Sequence, residues 1–173
     1  MGNLKIHLYV LFLLNMFSSC LGNQLFGQKN VNISIGIGNP EFINTSVRYQ
    51  FPERVQVGLG FGFFPVKEGS STCYSGITYF HFGKLPQLSS LRPWYLRISL
   101  DYWRDKGVKG NGDSYNDKYL YGDLRIGRVL NISYRFGIEV DAGIIFDLIE
   151  QPSEEMFDMG VLPGFGIRLT YRL

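Results

Sequence analysis

Hydrophobic residues occupy every second position along most of the chain after residue 30. In residues 55–63, Val, Leu and Phe alternate with Gln and Gly, and in residues 31–37 Val and Ile alternate with Asn, Ser and Gly. A period of two is that of a β-strand, because successive side chains point to opposite faces. Such runs recur about eight times, and no convincing helical period accompanies them. The sequence therefore predicts an all-β chain.

The last run suggests how the strands are arranged. Residues 165–173 alternate Phe, Ile, Leu, Tyr and Leu with Gly, Arg, Thr and Arg. A terminal strand needs partners on both edges, which a sheet closed on itself supplies. Strands of about ten residues with alternating faces, separated by turn residues, are typical of transmembrane β-barrels. We predict an eight-stranded antiparallel up-and-down transmembrane β-barrel over residues 29–173.

Turn residues divide the runs and fall alternately at the two ends of the predicted barrel. With the N-terminus in the periplasm, the inner connections are residues 52–54, 83–93 and 130–131. The outer connections are residues 39–40, 65–71, 105–117 and 150–158. Three of these four outer connections are long, as in outer-membrane barrels.

The polar face of the predicted strands carries glycines and charges. Eight strands enclose an interior that side chains fill, so glycines suit the inside and long apolar residues suit lipid. The charged residues assigned to this face form a predicted lumen charge network of Arg48, Arg97, Asp101, Asp123, Arg125, Glu139, Asp141 and Arg168. We interpret this network as a structural plug that braces the barrel rather than as a polar path for small ions, because side chains normally fill the interior of such a barrel.

The alternation of the strands leaves two points open. A soluble barrel of the lipocalin type also alternates, but with its apolar face inside. The run over residues 72–82 is mixed, and either of its faces could be the apolar one. Register is otherwise well specified, since a slip of one residue would turn several arginines toward lipid.

The N-terminus is a predicted targeting segment. Residues 8–17 form an apolar run after Lys5 that is too short to span a bilayer and has the size of a signal-peptide core. We place the signal peptide at residues 1–22, with cleavage as late as residue 28. Cys20 follows two serines and is an alternative lipidation site, although an incidental signal-peptide cysteine is favoured. Cys73 then remains as the only cysteine, which rules out an internal disulfide.

Composition and candidate chemistry narrow the function. The net charge is only +2 and the basic residues are scattered, so no nucleic-acid partner is expected. His81 is the one histidine after the signal segment, and its aromatic neighbours predict a girdle position at the periplasmic end rather than catalysis. Asp113, Asn116 and Asp117 lack the spacing of an EF-hand loop and predict a solvated loop. We expect no enzyme activity, no cofactor and no metal.

The end of the chain carries a resemblance. Gly166, Leu169, Tyr171 and Leu173 follow the pattern of a glycine and alternating hydrophobic residues, with Tyr171 as the aromatic. This resembles the C-terminal assembly signal that the barrel-assembly machinery reads. Residues 29–173 as a whole resemble the small OmpX-like and OmpA-barrel-like outer-membrane proteins of Gram-negative bacteria, most of all the compact barrels of the Bacteroidetes. The resemblance implies the cell outer membrane as location, with outer-membrane lipid and the assembly machinery as partners.

The expected function is that of a non-enzymatic integral outer-membrane barrel. It would be structural, or it would present its outer loops for adhesion or for binding a protein partner. One alternative is a barrel subunit of a larger secretion or uptake assembly. Another is a soluble or lipid-anchored, lipocalin-like ligand-binding barrel, which would need no detergent to stay in solution.

Overall fold

A computed structural model describes residues 30–51, 54–66, 69–108, 113–148 and 161–173. Its strands are β1 (Val31–Asn39), β2 (Phe42–Phe51), β3 (Val55–Val66), β4 (Gly69–Phe82), β5 (Trp94–Val108), β6 (Ser114–Asn131), β7 (Phe136–Asp147) and β8 (Val161–Arg172). No helix in the described ranges is long and apolar enough to cross a membrane. The signal segment, Cys20 and the predicted connection at residues 150–158 lie outside the described residues.

The eight strands form one closed antiparallel barrel in sequence order. Ile33 on β1, for example, pairs with Val47 on β2 and with Tyr171 on β8. Closure gives the first and last strands partners on both sides, so the barrel has no open sheet edge. The predicted fold is confirmed.

Side-chain exposure is the reverse of that in a soluble protein. Leu59 is 74% exposed and Ile35 59%, whereas Arg97 is 1% and Asp101 0% exposed. The alternation of the strands produces this pattern, because each strand turns its apolar residues outward and its polar residues inward. The face assignment of the mixed fourth run is settled in the same way.

In β4, the odd-numbered residues point into the barrel. Tyr79 and His81 are buried, whereas Tyr74, Phe80 and Phe82 are exposed. The girdle position predicted for His81 is therefore wrong. Its flanking phenylalanines do lie on the outer face, but successive strand residues alternate, and this places the histidine inside.

Two predicted outer loops are largely strand. β5 and β6 continue to the rung Val108–Ser114, and β3 and β4 continue to Val66–Gly69. Antiparallel pairing in a hairpin needs only backbone groups, so it extends past the apolar stretch into polar, glycine-containing sequence.

At the inner end, the predicted connection at residues 83–93 is confirmed. The tight turn expected at Leu130 and Asn131 lies instead at residues 132–135, because Asn131 still pairs with Gly137. The Ser133 hydroxyl accepts the backbone N–H of Phe136 at 3.0 Å and closes this turn.

The wall of the barrel is uneven in height. β5 and β6 have 15 and 18 residues, whereas β1 and β2 have 9 and 10. At the inner end all strands finish near the same level. The extra length therefore lies at the outer end, where β5 and β6 form a tall wall opposite the low β1–β2 turn.

Candidate functional site: the charged lumen and the outer mouth

The strand alternation places all eight residues of the lumen charge network inside the barrel, each at most 4% exposed. Arg48 and Glu139 form a two-pronged pair, with Nη1–Oε2 at 3.1 Å and Nη2–Oε1 at 2.7 Å. Thr170 donates its hydroxyl to Glu139 at 2.7 Å and accepts from Arg48 at 3.1 Å. Bidentate arginine–carboxylate pairs are the strongest and most directional ion pairs in proteins. This one joins β2 to β7 across β1 and β8.

Arg125 is the centre of a second group. Its guanidinium reaches Glu41 at 3.1 Å and Asp141 at 3.3 Å, and it also pairs with Asp123. It donates to the backbone carbonyls of Asn39 at 2.7 Å and Phe165 at 3.1 Å. The five N–H donors of the guanidinium thus find acceptors on both β1 and β8, the two strands whose pairing closes the barrel.

Arg168 links the two groups into one network. It lies 3.4 Å from Glu139 and forms an ion pair with Asp141. Tyr95 donates its hydroxyl to Asp141 at 2.8 Å. Buried charges are tolerated only where each has partners, and this chain of contacts supplies them.

Glu41 is a member of the network that the sequence pattern does not reveal. It is 4% exposed and forms ion pairs with Arg97 and Arg125. The residue lies in the β1–β2 turn, where strand alternation assigns no face. With it, four buried arginines meet five buried carboxylates in the described residues. The sequence offered one signal for Glu41, namely that this acidic residue directly follows the predicted turn at residues 39–40.

Asp101 is buried with the others but takes part differently. Among the described residues it has no arginine within ion-pair distance, and its Oδ2 accepts the Ser99 hydroxyl at 2.9 Å. On the neighbouring strand β4 it pairs with Ser75 in the ladder. It therefore lies at the edge of the network rather than in it.

Inner glycines give the arginines room. A Cβ added at Gly58 would lie 2.6 Å from Cγ of Arg48, and one at Gly36 would lie 2.5 Å from Cγ of Arg168. The space left beside Gly60 is a cavity of about 10 Å³, room for the centre of one water molecule. The largest fully buried side chains, among them Arg48, Arg97 and Arg125, point into the lumen, and this filling by side chains is expected for eight strands.

Aromatic rings cover the network at the outer end. This mouth cluster consists of Phe42, Phe64, Trp103, Tyr119 and Tyr121. Phe42 stacks on Phe64 at 4.1 Å and meets the edge of Trp103 at 5.6 Å. The rings are half-buried to exposed, so they shield the ion pairs and still offer an apolar surface at the mouth.

His81 lies at the inner end, within hydrogen-bonding distance of two groups. Its Nδ1 donates to the Arg92 carbonyl at 2.9 Å, and its Nε2 lies 3.3 Å from Oε1 of Gln56. The ring also packs near Tyr79 and Tyr95. These contacts hold the ring in place and bring no nucleophile or carboxylate to it.

The oxygen-bearing residues of the predicted loop do not converge. Asn116 and Asp117 are neighbours on β6 and therefore point to opposite faces. Asn116 accepts the Nε–H of Arg104 at 2.8 Å. In the part of the chain that the structure describes, no group of three His, Cys, Asp or Glu could hold a metal ion.

Three residues of the predicted assembly signal, Gly166, Leu169 and Tyr171, lie on β8, which pairs with β1, and Leu173 directly follows the strand. Gly166 is buried inside, Leu169 and Leu173 are 45% and 44% exposed outside, and the Tyr171 ring packs 4.9 Å from Phe136. Recognition of this strand by the assembly machinery stays a prediction.

No protein-family model and no curated protein matches the chain. Its fold does match solved structures. The N-terminal β-barrel domain of Pseudomonas aeruginosa OprF aligns with TM-score 0.54 and 15% identity over 85% of this chain and 99% of that one. Neisserial surface protein A aligns with TM-score 0.54 and 9% identity over 83% and 94%. The chain thus has the fold of small outer-membrane eight-stranded barrels; the narrower resemblance to Bacteroidetes proteins stays a prediction.

Proposed function

We propose that this chain is a non-enzymatic integral protein of the bacterial outer membrane. It is a closed barrel that anchors a tall, aromatic-lined wall at the cell surface for adhesion or for binding a protein partner. The observation that carries the proposal is the inverted exposure: large apolar side chains cover the outside, while arginines and carboxylates fill the inside. Water would not stabilise such a surface, but lipid would.

The outer face has the dimensions of a bilayer. On β5 the outward residues from Trp94 to Tyr102 are apolar and cover roughly 27 Å at about 3.4 Å per residue. A strand tilted by about 40° rises roughly 21 Å over this length, which is close to the height of an apolar band of about 25 Å. Aromatic residues mark both ends of the band, with Tyr49, Phe51, Trp94, Phe136 and Tyr171 at the inner end and Phe61, Tyr74 and Tyr102 at the outer end. Such girdles mark the two membrane interfaces.

The interior supports an anchoring role rather than transport. Arg48 and Glu139 join β2 to β7 across the lumen, and Glu41 extends the network to the outer β1–β2 turn. Above them, the mouth cluster and the tall β5–β6 wall reach past the apolar band. Partner recognition at this mouth fits the chemistry of Trp and Tyr, which supply large, rigid contact area at low entropic cost.

A pair of leucine substitutions tests the membrane location. Leu59→Arg puts a charge in the middle of the outer face, where Leu59 is 74% exposed. In lipid this costs about 2–4 kcal/mol, so less of the protein should fold. On a gel, the folded fraction is the part of an unboiled sample whose mobility differs from that of a boiled sample, and this fraction should fall sharply. Leu85→Arg is the matched control, because Leu85 is 63% exposed in the 83–93 connection, outside the band.

The wild-type protein should fractionate with membranes, require detergent for extraction and shift in mobility on boiling. A protein that stays soluble without detergent, with both arginine variants equally well folded, would contradict the proposal. The outer face would then be a surface for another protein, and the ligand search would move to the lumen.

A further inference from the structure

Three cations lie on the outward face of the tall wall. Tyr102 on β5 and Leu120 on β6 end the continuous apolar run on the outward face. The next outward positions are Arg104 and Lys106 on β5 and Lys118 on β6, and Asn116 on β6 and the exposed Val108 on β5 lie beyond Lys118 and Lys106. We call these three residues the rim cations. Lys106 and Lys118 are exposed, and Arg104 is half-buried.

The charges of the hairpin are sorted by face. Arg104 pairs directly with Lys118 in the ladder on the outside, and Asp105 pairs directly with Asp117 on the inside. Like charges directly opposite each other destabilise a sheet. A hairpin in water gains from mixing the signs across each rung, so this arrangement indicates that the outward face meets a negative partner.

Among the described residues, the ladder neighbours of the rim cations on the outward face carry no negative charge. Thr72 lies opposite Arg104 on β4, and Ser70 and Asn116 flank Lys106. Asp113 directly precedes β6 and lies one residue beyond the last rung of the hairpin, Val108–Ser114. The nearest strand carboxylates, Asp105 and Asp117, point into the mouth on the other side of the sheet.

The height of the rim cations identifies the partner. Arg104 and Lys118 lie one outward step beyond Tyr102 and Leu120, about 7 Å along the strand, and Lys106 lies two steps, about 14 Å, beyond Tyr102. The first step is the level where the apolar band ends and headgroups begin. An outward side chain at this height faces along the membrane plane rather than into solvent. The guanidinium fork and the lysine ammonium groups both suit phosphate oxygens.

We propose that Arg104, Lys106 and Lys118 form a binding site for phosphorylated headgroups of lipids in the outer leaflet. The site rests on the proposed membrane location and adds a specific lipid contact to it. It holds the tall wall upright against the membrane surface by charge attraction at one side of the barrel. Trp103, Tyr119 and Tyr121 of the mouth cluster lie on the inner face of the same two strands, so a bound lipid outside would not cover them.

The test compares the variant R104Q/K106Q/K118Q with the control R128Q. Arg128 is also outward on β6 but lies at the inner end, over the Trp94 ring at 5.3 Å. Each purified protein is mixed in detergent with lipid A, and the lipid A bound per barrel is measured by native mass spectrometry. Wild type and R128Q should bind alike, whereas the triple variant should bind at least about tenfold less tightly, since three attractive charges are removed.

Three results would overturn the site: unchanged lipid A binding by the triple variant, an equal loss in R128Q, or displacement of lipid A by an equal concentration of inorganic phosphate. The last result would mean a free-anion site instead of a lipid site. All variants are first refolded into phosphatidylcholine vesicles and checked for the mobility shift on boiling. A wild type that does not insert there contradicts the membrane location itself, independently of the lipid A result.

Discussion

Arg125 carries more of the lumen's organisation than any other single side chain described here. It is 0% exposed and meets Glu41, Asp123 and Asp141 together with two backbone carbonyls. Removing it would take one counter-charge from each of Glu41, Asp123 and Asp141, and would leave three buried arginines to balance five buried carboxylates. Such uncompensated burial is far more costly than the loss of a surface ion pair.

We therefore expect Arg125→Met to lower the free energy of unfolding by about 3–5 kcal/mol. Urea unfolding of the vesicle-inserted barrel, followed by tryptophan fluorescence, measures the change. Arg128→Met is the control, because Arg128 lies on the same strand but on the outer face. Equal unfolding midpoints for both variants would show that the inner network contributes little to stability.

Sequence reasoning at the residue scale succeeds where a side chain lies on a regular strand. Arg97 and Asp141 follow from alternation alone, because a period of two leaves only two faces. Glu41 does not, since it lies in a turn whose backbone course decides where its carboxylate points. The partner of each arginine is likewise invisible in the sequence, as Arg48 and Glu139 are separated by 91 positions.

At the scale of elements, close strand pairing depends on glycines inside the barrel. Gly58 on β3 lies beside Arg48 on β2, and an added Cβ would also lie 2.3 Å from the Val47 carbonyl oxygen. Gly76 on β4 points outward and would place its Cβ in open space. The two positions thus provide a test of inner crowding with the same chemical change.

Gly58→Ala should destabilise the barrel by about 1–3 kcal/mol, as overpacking does, because the Arg48 stem and the β2 backbone must both shift. Gly76→Ala should leave stability within roughly 0.5 kcal/mol of wild type or raise it slightly. The measurement is the temperature at which the folded band, the one that an unboiled sample gives on the gel, disappears. A Gly58→Ala barrel as stable as Gly76→Ala would contradict tight packing of the lumen.

The lengths of β5 and β6 show where element prediction fails. Polar residues with glycine and aspartate are typical of loops, so the sequence predicts a loop at residues 105–117. In the structure, the rungs Asp105–Asp117 and Gly107–Tyr115 continue the ladder. Their pairing depends on the register established lower in the hairpin, which local composition does not contain.

For the whole molecule, the filled lumen predicts a barrel that does not conduct ions. Wild-type protein in planar lipid bilayers should produce no discrete conductance steps. The double variant R48A/E139A removes a pair that spans the barrel without leaving an unpaired charge in that pair, so it should open a leak. V47A/V140A is the control, since Val47 and Val140 neighbour the same positions but face outward.

Steady conductance of the wild type would contradict the plugged lumen, because the large inward side chains Arg48, Arg97 and Arg125 are fully buried and would have to leave room for ions. A silent double variant, with the gel shift on boiling intact, would place the barrier elsewhere, for example at the mouth cluster. Both results are read from the same membrane preparation.

Period-two alternation was enough to predict eight strands and, outside β4, the face of each strand that points inward, because it is a local property of the backbone and its solvent. The inward face of β4, the place of Glu41 in the lumen and the height of the wall at β5 and β6 follow from the folded barrel alone. Closure is the physical reason: once β1 pairs with β8, every inward side chain shares one narrow space. Partners in that space are set by strand register around the ring, and no stretch of sequence carries the register alone.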